Sequence, residues 1–93
     1  MIHTTAVALP PGEILTRARA FFAERVPLAA AFVEKTGPGF LMLRGQGGEE
    51  VVFSAWEDAA AGVTRVRAST FLFDQAVDRF LSTLPLTGAV EVA

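Results

Sequence analysis

The chain is poor in side chains that do chemistry, and the few it has are scattered. His3 is the only histidine and there is no cysteine. A nucleophilic triad or a histidine-based metal site needs orienting or co-ligating partners. None stands near His3 in the pattern, so it reads as a structural or exposed residue close to a chain end. Lack of cysteine excludes disulfides, thiolate nucleophiles and thiolate metal sites. Paired carboxylates occur at Glu49-Glu50 and Glu57-Asp58. General acid–base catalysis needs a carboxyl held in a dry pocket, whereas both pairs flank turn signals, where side chains are solvated. Gly45-Gln46-Gly47-Gly48 has the glycines of a phosphate loop but not its lysine, and two acids follow where a helix should begin. It reads as a hairpin turn. The sequence therefore predicts no catalytic residue, no metal ligand and no cofactor.

The elements that would position any site follow from periodicity. Residues 2–9 are rich in β-branched side chains and stop at Pro10-Pro11, which predicts a strand. Pro11-Gly12-Glu13 opens a helix whose apolar stripe is Ile14, Leu15, Ala18, Phe21 and Phe22, with Pro27 ending it. Three turn signals follow, at residues 36–39, 45–48 and 58–62. They separate strands over residues 28–35, 40–44, 50–57 and 63–69. Such short connections cannot carry parallel crossovers, so the strands form a meander. A second helix buries Phe73, Ala76, Val77, Phe80, Leu81 and Leu84 and stops at Pro85. The expectation is an α+β fold: a five-stranded antiparallel meander sheet with two helices on one face, order β-α-β-β-β-β-α. Residues 1–85 make one domain, and 86–93 form a tail that is an edge strand or mobile.

Alternation assigns the two faces of this sheet. Leu41, Leu43, Val51, Phe53, Ala55, Val66 and Ala68 meet the helices. The opposite face then carries Phe32, Glu34, Phe40, Met42, Arg44, Ser54, Trp56, Arg65 and Arg67. Aromatics, Met and Arg are the residue types enriched in interface cores. Phe32, Met42, Arg44, Trp56, Arg65 and Arg67 are accordingly the candidate ligand or interface residues. Three readings fit them: an ordinary surface with Trp56 shielded by arginine stems or a slip in the strand register, a homodimer interface, or a ligand surface. Arg44, Arg65 and Arg67 could also grip a carboxylate or phosphate, or pair with cross-strand acids such as Glu34 and Glu50.

Composition sets the bounds. At 93 residues the chain makes one domain with a modest core. Its apolar fraction of 52% is more than so small an interior holds, which predicts an interface or a ligand cavity. A net charge of −2 lacks the footprint of a nucleic-acid binder. No run approaches the roughly eighteen apolar residues of a membrane span. The apolar stretch after Met1 has no basic segment before it, so no signal peptide is expected and the cytoplasm is the default. One lysine against seven arginines, many alanines and no asparagine are what a GC-rich bacterial gene encodes.

The stretches Val7-Ala8-Leu9-Pro10-Pro11-Gly12-Glu13-Ile14 and Arg67-Ala68-Ser69-Thr70 through Leu84 give an order of strand, helix, meander and amphipathic helix. In this the chain resembles a small member of the START/Bet v1-like superfamily. The resemblance implies a C-terminal helix closing a curved sheet over an apolar ligand, as in lipid carriers and polyketide cyclases. The functional expectation is a small non-enzymatic, homodimeric domain that binds a small apolar ligand or a protein partner. The alternative is a cyclase- or isomerase-like enzyme with a pocket between the C-terminal helix and the sheet. A purely structural interaction module is the third reading. A buried ionisable group facing the helices would favour the enzyme, and a Phe-packed interior the interaction module.

Overall fold

Ile2–Val7, with four β-branched side chains among six, forms β1, and Pro10-Pro11 turns the chain into α1 (Pro11–Glu24). Pro11, with no N–H to leave unsatisfied, sits in the first turn, and the Pro10 carbonyl accepts the amides of Glu13 and Ile14. The strands β2 (Phe32–Gly37), β3 (Phe40–Arg44), β4 (Glu50–Asp58) and β5 (Val63–Phe71) follow, then α2 (Asp74–Leu81) and β6 (Glu91–Val92). The protein is seen here as a computed structural model that describes residues 1–24, 31–45 and 47–93.

All neighbours in the sheet are antiparallel, in the order β2-β3-β4-β5-β1-β6. The meander is as expected, with β1 returning beside β5. The sheet has six strands where five were expected, because the tail is an edge strand. Its cause is the open edge of β1, whose backbone groups need partners. Ile2 and Ala93 exchange both backbone hydrogen bonds, at 2.9 and 2.8 Å, and Thr87 N–H donates to the Ala6 carbonyl at 2.9 Å.

Several boundaries differ from expectation: β1 stops at Val7 rather than Leu9, and β5 runs on to Phe71 past Ser69. The strand placed at residues 28–35 runs from Phe32 to Gly37, while Leu28–Ala30 and the helix-ending Pro27 lie outside the described residues. It carries a bulge between Val33 and Lys35, a usual device at a sheet edge. The helix α2 ends at Leu81 rather than reaching Leu84. Tighter turns close it, with Thr83 and Leu84 N–H donating to Phe80 and Leu81. Leu84 is buried all the same.

Both helices lay their stripes on one face of the sheet. Ile14, Leu15, Ala18 and Phe22 of α1 and Ala76, Val77, Phe80 and Leu81 of α2 join the inward residues of β3, β4 and β5 in one core. Phenyl rings fill its centre. Phe22 meets Phe53 and Phe73 at centroid distances of 5.7 and 5.3 Å, and Phe80 meets Phe53 and Phe21 at 5.4 Å each. These are edge-to-face or tilted contacts, the geometries the ring quadrupole favours.

Phe80 is 1% exposed at the middle of this cluster. Phe80→Ala is expected to cost about 3–5 kcal/mol in a denaturant melt; a loss under about 1 kcal/mol would remove it from the core.

Candidate functional site

The opposite face of the sheet has no element over it among the described residues. Cross-strand register arranges its side chains in rows. One row runs Phe40, Ser54, Arg67, Thr4, Glu91; the next Met42, Val52, Ser69, Ile2; a third Phe32, Arg44, Glu50, Phe71. Trp56 and Arg65 pair beyond the first row, toward the β4–β5 turn, with Ala6 on the far side of Arg65. Phe32, Phe40, Met42, Arg44, Ser54, Trp56, Arg65 and Arg67 share this side as alternation expects, whereas in β2 the bulge shifts the register after Val33, so that Lys35 and not Glu34 pairs with Met42. Phe32 is 50% exposed, Trp56 47% and Phe40 39%.

Phe71, exposed at 62%, also belongs to the face and was missed, as were Ile2 and Val52. Carrying the alternation of β5 two residues past Ser69 would have found Phe71. Its neighbour Leu72 is exposed too and holds a left-handed backbone, φ 70°, which side chains beyond Cβ disfavour. The chain thus strains its backbone at the rim of this face, with two large apolar side chains turned outward.

The arginines do not converge on a common anion. Arg44 donates to Glu34 at 2.8 Å and reaches Glu50 at 2.9 Å, and the bulge in β2 brings Glu34 within reach. The hydrogen bond from Arg44 to Glu34, then their charge attraction, raises the guanidinium pKa further. Arg65 holds Asp58 at 3.1 Å. That hydrogen bond, helped by the Ala61 amide, keeps the Asp58 carboxyl below its ordinary range. Arg67 makes no ion pair among the described residues. Gly62 adopts φ 68° to close the turn between Asp58 and β5. On β2, Gly37 leaves room for the Phe40 ring, which a Cβ there would strike. The ring thus lies close over Gly37 and stays partly exposed.

A cleft of about 460 Å³ opens on this side of the sheet, between Trp56, Arg65 and the strand-like tail at Thr87, Gly88 and Glu91, with Thr4 and Ala6 as its floor. A second, of about 350 Å³, lies at the β1–α1 corner beside Glu57 and Asp58. Of the acid pairs, Glu50 and Asp58 are tied to arginines, and Glu57 is exposed. Gly45 N–H bonds the Glu49 carbonyl at 2.8 Å across the β3–β4 hairpin, as the turn reading expected; Gln46 lies outside the described residues.

His3 is a correction. It was read as having no partner, but its ring is 3% exposed on the helix side of the sheet and its Nε2 stands 3.1 Å from Asp74 Oδ1. Sequence separation of 71 residues hid the pair, which forms only because β1 lies beside β5 and α2 begins directly after it. With Nε2–H donated to the carboxylate, Nδ1 is a buried acceptor with no hydrogen-bond partner among the described residues. The Met1 ammonium also approaches Asp74, at 3.7 Å, and donates to the Thr70 carbonyl at 2.8 Å. The cluster ties the start of β1 to the start of α2.

The chain matches no protein-family model, no curated protein and no solved structure.

Asp74→Ala strands the His3 ring with both nitrogens buried and unpartnered. It is expected to destabilise the fold by about 1–3 kcal/mol in urea unfolding; a change within about 0.5 kcal/mol would make the pair incidental.

Proposed function

We propose that this is a small non-enzymatic interaction domain that works as a homodimer through the open face of its sheet. The observation carrying this reading is the uncovered face itself, with Phe32, Phe40, Trp56 and Phe71 exposed on it. Aromatic side chains beside arginines are the usual make-up of an interface hot spot. A two-fold axis is the commonest way to bury such a face. The Phe-filled interior supports the same reading, since the rings occupy the space in which a ligand under α2 would sit. The likeness to START/Bet v1-like domains is on this view one of architecture. The cleft beside Trp56 is the place for a small apolar ligand or a partner's side chain. The cysteine-free chain suits the reducing cytoplasm.

A second reading has one observation in its favour. His3 and Asp74 form an oriented histidine–carboxylate pair on the helix side of the sheet, the residue types of a general base and its orienter. A cyclase- or isomerase-like activity would use the free Nδ1. His3 lines neither the cleft of about 460 Å³ nor that of about 350 Å³. The interaction reading therefore takes precedence.

The test is oligomeric state by size-exclusion chromatography with light scattering at about tens of micromolar, a concentration that populates any dimer of micromolar affinity. Wild-type protein is expected to be dimeric. Trp56→Glu, which sets a carboxylate in the middle of the face, is expected to give folded monomer by the same measurement and by circular dichroism. Monomeric wild-type protein would refute the proposal.

A further inference from the structure

Resting on that reading, we infer that the partner is a second copy stacked face to face about a two-fold axis running along β4. The basis is a reversal of order across that strand. Phe40 on β3 and Arg67 on β5 flank Ser54; Met42 and Ser69 flank Val52; Arg44 and Phe71 flank Glu50. Ring and guanidinium thus exchange sides between the first row and the last.

A two-fold axis parallel to β4, midway between two stacked sheets, carries the β3 side of one copy over the β5 side of the other. Phe40 then faces Arg67 of the second copy, and Arg44 faces Phe71 of the second copy. Each aromatic ring meets a guanidinium plane, and each copy contributes both kinds of contact. The Phe40 ring, close over Gly37 and 39% exposed, is open to a cation. Arg67, the face arginine with no ion pair among the described residues, gains a partner. Small Ser54 and Val52 lie on the axis and let the sheets approach to the usual separation of about 10 Å. Trp56 also lies on the axis and packs on its own copy. The one like-charge approach, Glu50 to Glu50, is neutralised in each chain by Arg44 at 2.9 Å.

Turning the sheet about β4 superposes five of its six strands, leaving β6 outside. At about 4.8 Å between strands and about 3.3 Å per residue, those strands span at most roughly 550 Å² of sheet plane, which places the contact at the small end of specific interfaces, below the ~800 Å² per partner of stable ones. An axis across the strands through Val52 also sets rings against guanidinia. It carries Trp56 over the turn at Gly48, however, and leaves that large exposed ring without an apolar partner.

Ser54→Cys gives the chain a single thiol on the axis. Facing sheets hold two such thiols too far apart for a disulfide, whose Cα atoms must come within about 7 Å, but within reach of a short bismaleimide. Covalent dimer is expected in most of the protein, and none from Thr16→Cys on the exposed side of α1. Should the Ser54→Cys substitution disturb folding, the exchange of Phe40 and Arg67 serves instead. Phe40→Arg alone sets arginine against arginine and is expected to raise the dimer Kd about tenfold. Phe40→Arg with Arg67→Phe restores ring against cation only about the β4 axis, and so returns Kd close to wild type. A dimer that neither cross-links through a thiol at position 54 nor is rescued by the exchange overturns this axis while leaving dimerisation standing. A monomeric wild type overturns both.

Discussion

Two amphipathic helices and one sheet cannot cover each other completely. Each helix has a single apolar stripe, and both stripes must find the same partner to build one core. In this chain they share one side of the sheet, where Phe22, Phe53, Phe73 and Phe80 interlock. The other side is left bare by arithmetic, for the described chain has no third helix to place on it. Everything distinctive about the molecule follows from that shortage: exposed aromatics on the strands, arginines braced by neighbouring acids, and a left-handed Leu72 at the rim.

The sheet and the side each residue takes were legible because strand alternation has a period of two and hairpin turns fix the register. Phe40, Met42, Arg44, Trp56, Arg65 and Arg67 could all be placed this way, since each sits on a strand bounded by clear glycine turns. Phe32 was placed correctly despite a bulge shortly after it, because its pairing with Arg44 lies before the irregularity. Local signals weaken at strand ends. Phe71 lies beyond the strand expected at residues 63–69, yet its backbone continues β5 past Ser69.

What the sequence concealed was long-range. Pattern alone left the tail open between an edge strand and a mobile end; Glu91 and Val92 pair because of the edge that β1 offers and not through their own propensity. His3 and Asp74 each look unremarkable alone; a distance of 3.1 Å between them requires the β1–β5 pairing to exist first. Arg44 does pair with Glu34 and Glu50, the cross-strand acids its position offered; only the bulge that brings Glu34 within reach escapes a period-two pattern. Tertiary pairing, not local pattern, decides these contacts, and they are where charge and strain concentrate.

The open face contains its own reporter. Trp56 is the only tryptophan, 47% exposed in the single chain, and it lies on the axis about which two copies would stack. Its fluorescence across a dilution series measures burial of the face directly, without substitution or label. Emission is expected to be blue-shifted in concentrated protein, where indole packs on indole away from water, and to move to the red along a single dimer-dissociation curve. A red, solvent-exposed emission that stays the same at every concentration would contradict burial of this face.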